Sequence, residues 1–134
     1  MSIQTILVED SKTIREVLIP TMAELADMDV MAWAETSSDA IETLGTLQEK
    51  WQLAVVDLFL KAGSGLDVLR AIKDRPRVKL VVVLSNYATA DMRKTCLELG
   101  ADAVFDKSTQ LDMFFEFCVA QFAEQDLRSK QVPN

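Results

Sequence analysis

Apolar and polar residues follow two alternating rhythms along this chain. Short apolar runs rich in β-branched residues predict strands at IQTILV (3–8), VMAWA (30–34), LAVVDLFL (53–60), KLVVVLS (79–85) and DAVF (102–105). Between them the apolar positions recur at helical spacing. Ile14, Val17, Leu18, Met22 and Leu25 mark a first helix that Asp10 or Ser11 can cap. Pro20 falls inside it and is expected to kink or loosen one turn. Further helices are predicted over 36–50, 63–74 (after a Gly turn), 89–100 (closed by Gly100) and 108–125. Residues 126–134 are polar, contain Pro133 and are expected to fray as a flexible tail after a domain spanning 1–125.

Strands separated by helices of this length require parallel pairing with right-handed crossovers. Five such units predict an α/β, (βα)5 fold: a flavodoxin-like three-layer sandwich with strand order 2-1-3-4-5. LAVVDLFL is broken only by Asp57, the pattern of a strand buried on both faces. There is no internal repeat, low-complexity segment or linker, so nothing marks a second domain.

Composition narrows the function. Apolar residues make up 49% of the 134 residues, a folded-protein composition. The net charge of −7 disfavours direct contact with nucleic acid. No apolar run approaches the ~20 residues of a membrane span, and no secretory signal is visible, so the expected compartment is cytoplasmic. Cys96 and Cys118 lie in apolar helical stretches and are expected to be buried thiols. Histidine is absent, which removes the commonest general base and zinc ligand.

In an open parallel sheet, sites form beyond the carboxyl ends of the strands. Glu9 and Asp10 end strand 1, Asp57 ends strand 3, Ser85 ends strand 4 and Lys107 follows strand 5. Three carboxylates balanced by one lysine need a further cation, and Mg²⁺ suits such an all-oxygen set. Asp57 is placed to act as a nucleophile toward a phosphoryl group. Lys107 and Mg²⁺ would neutralise the transferring oxygens, and Ser85 would donate to one of them.

At these residues the sequence resembles the receiver domain of two-component response regulators, over about residues 3–125. The motifs that carry the resemblance are VED, VVDLFL, GSGLDVL, VLSN and GADAVFDK, in that order. It implies a stand-alone signalling phosphoacceptor rather than an enzyme, with Mg²⁺-dependent self-phosphorylation and self-dephosphorylation. Asp57 would take a phosphoryl group from a histidine kinase or phosphotransfer protein. Asp10, Asp57 and the backbone carbonyl of Phe59 would hold Mg²⁺, with Glu9 acting directly or through water. Lys107 would pair with Asp57 and then with the phosphoryl group, and Ser85 would close onto it. The output would be a changed surface of helix 4, strand 5 and helix 5, binding an effector or a second copy. Met113, Phe114, Phe115, Phe117, Cys118 and Phe122 exceed one buried stripe, so some are expected at that surface.

The sequence departs from the family pattern in places. The acidic pair is Glu-Asp where Asp-Asp is commoner, and Lys61 stands where Pro is frequent. Ser108 replaces a Pro that usually follows a cis bond. A cis bond before Ser108 would cost about 2.5–4 kcal/mol, so trans geometry or strain is expected. Val104 stands where the family has a Phe or Tyr that swings inward, and Phe105 points to the other face. Coupling to the output face is therefore expected to be weak or rerouted through Tyr87. Phe59 and Tyr87 flank the path of hydrolytic water and are expected to prolong the life of a phosphoaspartate.

Rival readings fit less well. A haloacid dehalogenase-type phosphatase places a second Asp two residues after its nucleophile, where this chain has Phe59. A flavodoxin needs a phosphate loop after strand 1, where Glu9 and Asp10 would repel a dianion. The remaining alternative is a receiver-like scaffold that binds a partner without phosphorylation.

Overall fold

The computed structural model describes residues 2–86 and 88–131, with side chains described to Glu124. Tyr87 and the expectations placed on it lie outside the described residues. In chain order the elements are β1 (Ile3–Val8), α1 (Lys12–Ala26), β2 (Met28–Ala34), α2 (Ser37–Thr46), β3 (Leu53–Val56), α3 (Gly65–Ala71), β4 (Leu80–Ser85), α4 (Ala90–Glu98), β5 (Ala103–Asp106) and α5 (Leu111–Gln131). All pairings are parallel, in the order β2-β1-β3-β4-β5. The architecture is the expected flavodoxin-like one.

Strand alternation divides the core into two layers. Ile6, Val8, Ala54, Val56, Val81, Val83 and Val104 face one side, against Ala40 and Leu44 of α2, Val68 and Leu69 of α3 and Cys96 of α4. Leu7, Leu53, Val55, Val82, Leu84 and Phe105 face the other, against Leu18 and Met22 of α1 and Phe114, Phe115 and Cys118 of α5. β3 and β4 are buried throughout, which is why they read as continuous apolar runs. Val104 and Phe105 point into opposite layers as the alternation requires.

Side-chain caps set the helix starts. Ser11, Thr36 and Thr89 each accept a hydrogen bond from the first turn of α1, α2 and α4. Ser64 and Asp67 form a reciprocal capping box on α3. Pro20 sits inside α1, and the helix continues to Ala26. Pro20 has no N–H to donate to the Glu16 carbonyl one turn back, and the Thr21 hydroxyl donates to the Val17 carbonyl at 2.7 Å. Gly100 closes α4 in the left-handed region at φ 97°.

Several boundaries differ from the sequence reading. β3 stops at Val56, so Asp57 is the first residue of the loop rather than part of a strand reaching residue 60. α5 begins at Leu111 rather than 108, because residues 107–110 form a turn. The helix then runs to Gln131, past the last apolar position of the predicted stretch. Of its six large apolar residues, Phe114, Phe115 and Cys118 are buried, and Phe117 and Phe122 pack partly against the same layer. Of the six, Met113 alone is well exposed, and Val119 on the same helix is exposed beside them, so fewer of the predicted six reach the surface than the pattern suggests. Both cysteines are buried free thiols, and burial pushes Cys118 up to about 12.

Candidate functional site

The carboxyl ends of β1, β3, β4 and β5 open onto one cleft of about 340 Å³, lined by Glu9, Asp10, Ser11, Ile14, Asp57, Phe59, Asn86 and Lys107. β1 and β3 are hydrogen-bonded neighbours, so Glu9, Asp10 and Asp57 emerge side by side. The Asp57 amide donates to the Val8 carbonyl at 2.9 Å, which anchors the aspartate at the end of the sheet. Ligand oxygens of the three acids lie within 4.8 Å of one another.

The remaining members converge on Asp57. The Ser85 hydroxyl donates to Oδ1 at 2.8 Å, and the Phe59 amide donates to the same oxygen at 3.3 Å. Lys107 Nζ donates to Oδ2 at 2.9 Å and also to Glu9 Oε1. The Lys107 amide donates to the Ser85 carbonyl at 3.0 Å, so β4 positions the backbone of the turn that carries the lysine. Among the described residues there is no cis peptide bond, so Lys107–Ser108 is trans. Asp106 accepts from the Ser108 amide at 2.8 Å and hydroxyl at 2.5 Å, which shapes the turn and lowers the Asp106 pKa.

The electrostatics are those of a crowded acid cluster. Glu9 is 2% exposed, and burial raises its pKa against the opposing pull of Lys107 and the Ser11 amide. Burial pulls the Lys107 ammonium down, but hydrogen bonds to Glu9 and Asp57, and their charges, outweigh it and leave its pKa raised. The carboxylate of Asp10 makes no hydrogen bond or ion pair among the described residues. One ammonium thus serves two buried acids while a third stands beside them. This oxygen-only donor set, short of positive charge, fits a hard divalent cation.

The sign of the Glu9 shift gives a testable expectation. An acid whose folded-state pKa is raised favours the folded state at low pH. That advantage is lost as pH rises from its ordinary value of 4.5 through the raised value. In metal-free protein, Glu9→Gln is therefore expected to gain stability relative to wild type as pH rises over that interval. Urea denaturation of both proteins across the interval checks this.

Sequence reading did not find Arg15. Its guanidinium is buried on α1, donates to the Glu9 carbonyl at 2.8 Å and to Glu35 Oε2 at 3.0 Å, and lies 3.9 Å from the centre of the Trp33 ring. It thereby holds the peptide between Glu9 and Asp10. The Glu35 backbone carbonyl accepts the Lys61 amide at 3.2 Å, which links the loop after β2 to the loop after β3.

A parallel 2-1-3-4-5 sheet with an acid triad, a hydroxyl and a lysine at one rim defines a receiver-type α/β domain. The chain belongs to the response regulator receiver domain family, whose model matches residues 5–117. It is 31% identical over 108 residues to a cyclic di-GMP phosphodiesterase of Thermotoga maritima, covering 81% of this chain. The chain spans 28% of that relative's length, and about half or less of other curated relatives it matches. Among solved structures it resembles the signal receiver domain of a DNA-binding response regulator from Colwellia psychrerythraea, with a TM-score of 0.77 and 21% identity over 92% of this chain and 99% of that one. It also resembles the BeF3-activated receiver domain of Klebsiella pneumoniae RstA, with a TM-score of 0.76 and 20% identity over 88% and 97% of the two chains. At these identities the structural likeness speaks to the fold. Among the described residues, no helix is long and apolar enough to cross a membrane.

Proposed function

We propose that this chain is a phosphoacceptor in a cytoplasmic two-component phosphorelay, taking a phosphoryl group onto Asp57 from a histidine kinase or phosphotransfer protein. The observation that carries the reading is the meeting of Asp57 with Ser85 and Lys107 beside the Glu9–Asp10 pair. In the transfer, an Asp57 oxygen bonds to phosphorus while the bond to the donor atom breaks, leaving an acyl phosphate. Lys107 pairs with Asp57 in the resting state and then offsets charge on the phosphoryl oxygens. Ser85, already donating to Asp57, supplies a hydrogen bond that can pass to one of those oxygens. Glu9, Asp10, Asp57 and the Phe59 carbonyl are the groups that would hold Mg²⁺, whose charge would neutralise the phosphoryl oxygens. The signal would leave through α4, β5 and α5, where Leu97 and Met113 are half exposed for an effector or a second copy.

The test is incubation with acetyl phosphate and with candidate kinases, with and without Mg²⁺, followed by intact mass measurement. Wild type is expected to gain one phosphoryl group only when Mg²⁺ is present, and Asp57→Asn none. A protein that stays unmodified and does not bind beryllofluoride would instead be a scaffold that binds its partner without phosphorylation.

Phe59 lines the cleft beside Asp57 and is 54% exposed, so an apolar ring borders the site where water would attack. Polar side chains at such a position can orient water, and an aromatic ring displaces it. The phosphorylated protein is expected to lose its phosphoryl group several-fold faster in Phe59→Asn, as read from the decay of the phosphorylated mass.

A further inference from the structure

The two members of the cleft that meet a phosphoryl group rather than a cation, Ser85 and Lys107, stand on different loops. One half-buried side chain touches both loops. Arg93, on the first turns of α4, donates from Nε to the Ala88 carbonyl at 3.1 Å, from Nη1 to the Val104 carbonyl at 2.7 Å and from Nη2 to Gln110 Oε1 at 2.5 Å. Ala88 lies three residues after Ser85, Val104 three before Lys107 and Gln110 three after it.

The Gln110 oxygen also accepts the Asp106 amide at 2.9 Å, and the Gln110 amide donates to the Asp106 carbonyl at 2.8 Å. The turn that presents Lys107 is therefore closed around Gln110, and Arg93 grips it from outside. A planar fork with donors in three directions is required for this, which a lysine ammonium on a flexible stem cannot reproduce. The backbone of the acid side is held by other groups, Arg15 on the Glu9 carbonyl and the Val8 carbonyl on the Asp57 amide, while Lys107 and Ser85 reach across to the carboxylates of Glu9 and Asp57.

We propose that Arg93 is a positioning residue of the cleft. By fixing the Ala88 carbonyl after Ser85 and the turn that carries Lys107, it controls how tightly a phosphoryl group is held, and it affects cation binding less, because the backbone of the acids is anchored elsewhere. It also ties α4 to the turn that carries Lys107, through the Val104 carbonyl and Gln110. The proposal rests on the phosphoacceptor reading, and the experiment separates the two.

Mg²⁺ affinity, and beryllofluoride affinity at saturating Mg²⁺, are measured by amide chemical shifts for wild type, Arg93→Met, Arg93→Lys and Gln110→Ala. Arg93→Met and Arg93→Lys are expected to keep Mg²⁺ affinity within about twofold of wild type and to bind beryllofluoride about tenfold more weakly, the scale of effect of a modest misplacement of reacting groups. Gln110→Ala, which keeps the bonds of Arg93 to Ala88 and Val104, is expected to show the same split at smaller size. It serves if the Arg93 variants do not fold. Unchanged beryllofluoride affinity, equal losses for both ligands, or full rescue by lysine would each overturn the role of Arg93. A wild type that binds Mg²⁺ but no beryllofluoride would overturn the phosphoacceptor reading itself.

Discussion

Gly65→Ala is expected to lose about 3 kcal/mol of folding stability, at the upper end of what overpacking costs. Gly65 opens α3 where that helix crosses the exit of β3, and its amide donates to the Leu58 carbonyl at 3.0 Å. A Cβ built there would lie 2.3 Å from the Asp57 carbonyl oxygen and 2.8 Å from the Leu58 Cα. Both are backbone atoms, so no side chain can turn aside to make room. Either α3 moves off the sheet or the Asp57 backbone moves out of the cleft, and Mg²⁺ affinity is expected to fall along with stability. Gly45 is the control. It is exposed within α2, and an added Cβ meets nothing within 4 Å. Gly45→Ala is expected to gain about 0.5–1 kcal/mol by removing a helix-interior glycine. Urea denaturation of the two variants, with Mg²⁺ titration of each, checks both expectations.

Lys107→Met is expected to destabilise the metal-free protein by about 3–5 kcal/mol at neutral pH, the cost of breaking a buried ion pair by removing one partner. The lysine side chain is 10% exposed, and its partners Glu9 and Asp57 are 2% and 10% exposed. Without the ammonium, two neighbouring buried carboxylates would face each other, and Glu9, already raised by burial, would lose the partner that opposes the rise. The deficit should therefore shrink as pH falls below neutral, since an acid with a raised folded-state pKa favours folding when protonated. Excess MgCl2 should also recover part of it, because a cation bound only by the folded state stabilises by mass action. A loss that neither acid nor Mg²⁺ relieves would mean that packing of the lysine stem, rather than charge, accounts for the effect.

What the sequence revealed of this molecule follows from how locally each feature is encoded. The strands, their order and the rim where the polar residues gather come from periodicity and crossover rules, which act over a few residues at a time. The pairing of Lys107 with Asp57 was expected from the family resemblance, and the gathering of strand ends of opposite charge at one rim agreed with it. The second bond of Lys107, to Glu9, was not expected, since either acid or a cation could have claimed that ammonium. Arg15 and Arg93 were invisible for a different reason. Several of their acceptors are main-chain carbonyls of Glu9, Ala88 and Val104, and every residue carries a carbonyl, so no residue pattern announces such a bond. The start of α5 was misjudged for a related reason. The predicted helix opens at Ser108, but the amide and hydroxyl of that residue are used by Asp106 within the turn.

The bond between Lys107 and Glu9 spans 98 positions of sequence, from the first strand of the fold to just beyond the last. During synthesis, a nascent polypeptide displays Asp57 and its acidic neighbours long before the lysine has left the ribosome. Until then the cluster lacks its own cation, and the turn that completes it has not been made. Competence at Asp57 would thus arrive together with the closing edge of the sheet, so unfinished chains would stay silent toward a phosphodonor.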